Sequence, residues 1–520
     1  PLDSAPVKFV WFPNATTNKW FCATGGKIYV YSTLWTEVTT ADVASVTDLC
    51  VYGTVLYAAC GASTAYRYST DGLTWTTSTL TDKYANYFLV SPNAAGTAEV
   101  LWKVKTPNEL ASAANPINGA TGTDNWDSPV NYIGDASTNI TNLFLHNDIL
   151  YIGKTDGLWQ FDSDGGIHQL RPDLAKNLST DNFKYTTDWS AASYFSEING
   201  MGEITSNSAY DPMGPLKDIG NIGKRGDIVG LAADKDFLYV AIDEGTNTII
   251  YKGREVYREG TGLRWEWCPF VFLGAYTCAT MSTNQHSATD RRLWFGYTTG
   301  TTYGSAYVIL SDNPTADSAY RFTTSGFVRM SYDYGSDALW DKLWQSAVLE
   351  VKGGASGETV QVKYRKDTDT AATECIAAAA TNGVYESNFT AELACKRIQF
   401  EINLASDTNT ATPEVSYFQA KGLEKPTTTR VHEAVYAIGD EPSAGAKTLR
   451  DLLRTARTST TLIRFADLRY NETTGGTAGT DFVYCVMEPG YPQEIEVFHR
   501  DKGNTPEMGI RVRMREVSFA

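Results

Sequence analysis

A chain of 520 residues, 42% apolar and 20% charged, is long enough for several domains and for a sizeable core without disulfide support. Its formal net charge of −16 and the lack of any long Lys/Arg run argue against nucleic-acid partners and against membrane binding or insertion. The 43 Gly, 30 Tyr, 21 Phe and 13 Trp favour strands joined by many tight turns.

Eight cysteines (Cys22, Cys50, Cys60, Cys268, Cys278, Cys375, Cys395, Cys485) contain no C-x-x-C pair. They read as small buried hydrophobes rather than zinc ligands or a disulfide framework. The most apolar stretch, "WCPFVFLGAY" at 267–276, falls far short of the roughly 18 apolar residues a membrane-spanning helix needs. The opening "PLDSAPVKFVWF" has no basic region followed by an apolar one, so no export signal is expected within it.

In chain order, the first 320 residues repeat one unit: an apolar strand, a turn, a strand of Leu-Tyr-Val-Ala type, a Gly-containing turn, and a strand ending near Trp or Phe. The copies run through 19–38, 47–75, 86–104, 141–166, an irregular stretch at 189–219, 227–253 leading into "GLRWEW", and 291–310. Seven units of about 45 residues fit the blades of a β-propeller, with a β-helix or paired sandwiches as alternatives. A four-stranded sheet that is apolar on both faces cannot bury itself, and radial stacking covers both sides. Runs such as "VLYAAC" and "FLYVAI" suit strands packed between two neighbours.

One turn stands out in this region. Ser69-Thr70-Asp71-Gly72-Leu73-Thr74-Trp75 resembles the Asp-box of sialidase-like propellers, a turn between the outer strands of a blade. There a short carboxylate accepts backbone N–H groups, Gly72 takes a positive φ, and Trp75 packs beneath the hairpin. "FDSDGG" at 161–166 is a partial second copy, with Asp164 and Gly165 in the matching places. Both turns are expected to be structural.

After about residue 322 the pattern changes. "VQVKYR" and "IQFEIN" alternate apolar and polar residues, as strands with one buried face do, and predict a jelly-roll-like β-sandwich over 323–425. The Ala-rich segment 367–383 reads as a surface loop with a helical turn. The remainder, 426–520, reads as a small α+β module reached through "EKPTTTR". Its helix, 446–458, places Ala446, Leu449, Leu452, Leu453 and Ala456 on one face, and its closing strand is "IRVRMREVSF".

The order of propeller, sandwich with "VQVKYRKDTD" and "KRIQFEINLASDTNTATPEVSYFQAKGL", and module with "TLRDLLRTARTSTTLIRFADLRY" resembles virion structural proteins of tailed bacteriophages. The likeness is to tail-tip, baseplate or fibre-associated proteins. It implies a protein of the virion tail, assembled in the host cytoplasm. The implied partners are other tail or baseplate proteins, copies of itself in a symmetric assembly, and a host-surface receptor or glycan. It implies no catalytic residue, cofactor or metal.

Enzymatic readings find little purchase. A sialidase needs three carboxylate-clamping arginines and an Arg-Ile-Pro near its first blade; that tripeptide is absent, and only Arg67 and Arg171 precede residue 200. Acidic pairs such as Asp162/Asp164 and Asp243/Glu244 fall in turns, and the five histidines have no metal-binding spacing. The remaining candidates are aromatic: Trp126, Trp189 and Tyr194 lie in the longest irregular stretches, where exposed rings stack on sugar faces, although wedging between blades is the favoured reading of all three. An extracellular bacterial carbohydrate-binding or glycoside-hydrolase propeller is the alternative function, and a phage depolymerase that cleaves a host glycan is the third.

Overall fold

The computed structural model describes residues 2–15, 19–38, 45–93, 96–121, 125–126, 130–162, 165–198, 200–205, 210–215, 225–260, 262–285, 290–335, 341–425, 430–437, 444–458, 463–466, 482–498 and 506–516. Contacts divide the chain into two compact units, Pro1–Arg321 and Phe322–Ala520.

The first unit is a seven-bladed β-propeller. Its blades are antiparallel meanders, beginning with Pro6–Trp11, Trp20–Thr24, Ile28–Tyr31 and Trp35–Glu37 in blade one. Blades two to six span 48–77, 87–132, 140–169, 186–213 and 227–274, each with four strands; blade seven, 277–310, has three. The first strands of successive blades lie side by side around the axis, and Thr277–Gln285 of blade seven lies against Pro6–Trp11, closing the ring. The described part of the stretch 189–219, expected to be irregular, contributes to blade five, whose strands are Thr186–Trp189, Ala192–Glu197, Gly200–Ile204 and Tyr210–Met213; residues 199, 206–209 and 216–219 lie outside the described residues. Its polar, Gly-rich composition hid the strands, because Ser193, Ser196 and Glu197 are buried there on hydrogen bonds and an ion pair rather than as apolar side chains.

The core is distributed radially. Seven apolar clusters sit one to each seam: Phe21, Leu56 and Trp75 between blades one and two, and so on round to Phe9, Trp20 and Trp294 between seven and one. This explains why second strands such as Val55–Ala59 and Trp20–Thr24 are buried at every position. Side chains on or just before the inner strands also bridge the seams. Asp48 Oδ2 accepts the Phe88 N–H at 2.9 Å and Asp48 Oδ1 pairs with Lys8 at 3.1 Å, tying three blades. Thr47, Thr141 and Thr283 each donate to a backbone carbonyl in or leading into an adjacent blade.

In the second unit, two sheets share a core. One has the order Ser325–Arg329, Ile398–Ala405, Thr359–Lys366, Thr373–Ala379; the other Gly383–Cys395, Asp341–Lys352, Glu414–Lys425. Trp344, Leu349, Val362, Ile398 and Phe400 fill the space between them, giving a β-sandwich. Within the Ala-rich segment expected to be a loop, Thr373–Ala379 is a strand, because pairing with Thr359–Lys366 buries Ile376 and Ala379. The linker residues 426–429 lie outside the described residues.

A mixed module follows. The closing strand, Pro506–Glu516, is central, pairing with Val431–Ala437, Val483–Met487 and Gln493–Phe498. Helix α1, Ala444–Thr458, joins Leu453 to Val483, Cys485, Ile510 and Val512. Leu452, expected on the same buried face, is 61% exposed, so the helix contacts its sheet through a narrower stripe than its sequence suggests. The side chains of Ala446 and Leu449 lie outside the described residues.

Candidate functional site

The turn 70–75 joins the third and fourth strands of blade two, Arg67–Ser69 and Thr76–Thr77. Asp71 Oδ1 accepts the backbone N–H groups of Leu73 (2.8 Å) and Thr74 (2.7 Å) and the Ser69 hydroxyl (3.0 Å). Ser69 Oγ in turn accepts the Gly72 N–H at 2.8 Å, and the Trp75 indole N–H donates to the Gly72 carbonyl at 3.1 Å. Gly72 has φ +79°, and Trp75 is buried in the seam with blade one. The Thr74 N–H, with those of Leu73 and the Ser69 and Thr74 side chains, holds the Asp71 carboxyl down at about 2. Its Oδ1 is held by two backbone N–H groups and the Ser69 hydroxyl, a structural assignment.

The turn 161–166 occupies the same place in blade four, between Gly157–Phe161 and Ile167–Gln169. Gly165 has φ +83° and its N–H donates to the Asp162 carbonyl at 2.9 Å. Asp164 lies outside the described residues. Asp162 pairs with His168 at 2.9 Å.

Of the aromatic candidates, Trp126 is a core residue between blades two and three, the wedged position favoured from its sequence and not the sugar-stacking one. It is 6% exposed, stacks on Phe88 (6.3 Å, 14°), meets Tyr66 edge-on, and carries the Lys103 ammonium 4.8 Å from its ring. Its polar surroundings in sequence suggested an exposed loop, but the strand Asn131–Tyr132 brings this segment back onto blade three. No ring face is left for a sugar.

Trp189 and Tyr194 come together on blade five, centroids 6.4 Å apart, with Tyr194 buried and Trp189 half-buried. The structure adds Trp265, 5.5 Å from Trp189 and edge-on to Tyr194, and Trp267, stacked on Trp265 at 5.1 Å and 13°. Burial pushes the Tyr194 phenol up, aided by Glu203 and Glu255. Trp267 lies flat because residue 253, directly opposite, is glycine; a Cβ there would come within 2.5 Å of the indole Cδ2. The signal missed in the sequence is "WEW" itself, since residues two apart on a strand share one face.

Another constellation spans blades four and five. Ser193 Oγ donates to Asp188 Oδ1 and lies 3.0 Å from His146 Nδ1; with the serine proton on the carboxylate side, the tautomer that satisfies both contacts carries its proton on Nδ1, leaving Nε2 to accept from Asn147 Nδ2 at 3.0 Å. Burial lowers the His146 pKa, against the pull of Asp188. The order differs from that of a hydrolytic triad, where histidine stands between carboxylate and serine and receives the serine proton. Here serine is the middle member, 1% exposed, with its proton directed at the carboxylate. The group closes a buried polar network.

The eight cysteines are free, and five are buried; burial pushes the Cys60 thiol to about 11 and Cys278 to about 12, far from thiolate chemistry. Among the described residues no three His, Cys, Asp or Glu side chains converge as a metal site.

No protein-family model and no curated protein matches the chain. Among solved structures it is similar to YCF48 from Cyanidioschyzon merolae, at 12% identity over 57% of this chain and 94% of that one, with a TM-score of 0.37. BBS1N, solved in complex with ARL6DN, gives 10% identity over 60% and 94%, and a TM-score of 0.38. An exo-beta-1,3-galactanase from Phanerochaete chrysosporium gives 12% identity over 76% and 100%, and a TM-score of 0.24. The propeller assignment rests on the chain's own strand order and ring closure.

Proposed function

We propose that this chain is a structural protein of a tailed-phage particle, working by binding. Its C-terminal domains dock to tail or baseplate proteins and to copies of itself, and its propeller faces a host-surface glycan or protein. The observation that carries this reading is the order of parts, a ring of blades followed by a sandwich built on "VQVKYR" and "IQFEIN" and by a helix-and-sheet module closing on "IRVRMREVSF". In this reading the Ser69–Trp75 turn is an Asp-box and serves the blade. The commitments of Asp71 to backbone N–H groups and of the Ser193 proton to Asp188 support binding over catalysis.

The test is mass spectrometry of purified particles. Peptides from both the propeller and the C-terminal domains are expected in the virion; particles without this chain would overturn the reading. The alternative, an extracellular bacterial carbohydrate-binding or carbohydrate-cleaving propeller, draws on the Trp189–Trp265–Trp267 cluster beside Tyr194. Release of reducing ends from purified capsular polysaccharide would favour it.

A further inference from the structure

We infer that the sandwich carries a docking edge for a second copy of this chain: the strand Ser325–Arg329, pairing antiparallel with itself about a two-fold axis at Phe327. This strand ends its sheet, bonded to Ile398–Ala405 on one side, and among the described residues no strand pairs with its other side. All of its residues are exposed. Phe327 is 61% exposed on one face of the sheet and Val328 57% exposed on the other.

The ladder shows which backbone groups the edge offers. The Met330 N–H donates to the Phe400 carbonyl at 2.9 Å and the Ser406 N–H to the Thr324 carbonyl at 2.8 Å, so the even-numbered residues bond inward. By the alternation of an antiparallel pair, the N–H and C=O groups of Ser325, Phe327 and Arg329 point out of the free edge. The Thr323 hydroxyl reaches the Ser325 carbonyl at 3.1 Å, which leaves that oxygen its second lone pair. Such an edge is a template for another strand.

The devices that usually protect a free edge are missing. The other outer strands of the sandwich, Thr373–Ala379, Gly383–Cys395 and Glu414–Lys425, each break register against a neighbour, whereas Ser325–Arg329 pairs without a shift. It holds no proline. Its one charge, Arg329, is neutralised by Glu401 at 2.7 Å and lies 5.3 Å from the Phe327 ring centroid.

Self-complementarity identifies the occupant. With Phe327 opposite Phe327 of a second copy, Ser325 falls opposite Arg329 and Gly326 opposite Val328, in both directions. The outward groups of the two copies then meet at every odd-numbered position and form about six hydrogen bonds; a slip of one residue would set outward groups against bonded ones. No like charges face each other. Val328 of the second copy stands across from Gly326, which lines an apolar cleft of about 250 Å³ with Phe322, Leu404 and Pro413. The contact is small beside the roughly 1,600 Å² of a standard interface, so the isolated chain should dimerise weakly, and an assembly of many copies gains by multivalency. The inference deepens the self-docking part of the proposed function and rests on that reading only for its use in the particle.

The test is sedimentation velocity on the full chain over a concentration series. A monomer–dimer equilibrium is expected, with a dissociation constant on the order of 100 µM. Phe327→Lys sets two ammonium groups against each other at the axis, and Phe327→Pro removes only an outward N–H; each should weaken dimerisation at least about tenfold. Both change an exposed side chain and no bond to Ile398–Ala405, so the melting temperature should stay that of the wild type. A chain monomeric throughout the series, which would leave the edge to a strand of another protein, overturns the inference, as does dimerisation that survives both substitutions. Absence of the chain from purified particles would sink the virion reading and leave this dimer standing, so the two failures are separable.

Discussion

Gly72 of blade two faces the Phe21 ring of blade one so closely that a Cβ on Gly72 would sit 3.0 Å from Phe21 Cε1 and nearer still to Cζ. The turn therefore depends on glycine twice, for its φ of +79° and for space in the seam. Gly72→Ala is expected to destabilise the propeller by about 1–3 kcal/mol through backbone strain and overpacking. Denaturant unfolding measures this, and a variant as stable as the wild type would refute the packing described.

Asp71→Ala should cost about 0.5–2 kcal/mol, the scale of a lost cap, and leave any ligand binding intact. The pH dependence follows from the sign of the shift. The folded carboxyl titrates at about 2, below its ordinary value of 3.8, so its contribution is complete above about pH 4 and is lost as pH falls through 2. Asp71→Asn should flatten the acid limb of the stability curve, and an unchanged limb would count against the bonds to Leu73 and Thr74.

Lys103 titrates the other way. Burial lowers its pKa to about 8 in spite of Asp82 at 2.7 Å. Desolvation outweighs the ion pair because the lysine side chain is 2% exposed whereas Asp82 remains 31% exposed. Between about pH 8 and 10.5 the unfolded chain binds the proton and the folded chain does not, so stability rises with pH by up to about 1.4 kcal/mol per unit. The difference in stability between the wild type and Lys103→Met, followed by thermal melts across this window, should change with that slope; a constant difference would contradict it.

Ser193→Ala breaks the chain from Asn147 through His146 to Asp188. Leaving the His146 N–H and the Asp188 carboxylate without their shared partner should cost about 1–3 kcal/mol. Ester hydrolysis measured on wild type and variant should be the same; a serine-dependent rate would restore the catalytic reading.

What the sequence made legible was periodic. The apolar second strands marked the blades because each is covered on both faces, and the alternation in "VQVKYR" and "IQFEIN" marked the sandwich because the apolar residues of each, Val360, Val362, Ile398, Phe400 and Ile402, face its core. Asp71 was legible because its bonds are local, within three residues. For Trp126 the sequence offered both an exposed and a wedged position, because its burial depends on Phe88 and Tyr66, far away along the chain. Thr373–Ala379 was missed because alanine has no strand preference of its own and pairing alone made it a strand.

The most direct test is complementation with residues 1–426 in place of the full chain. The truncated propeller and sandwich should fold, with strand-rich circular dichroism and a cooperative melt, yet be absent from purified particles that incorporate the full chain. Equal incorporation of the truncated chain, or a propeller that no longer folds without residues 427–520, would contradict an account in which the C-terminal module docks and the propeller binds.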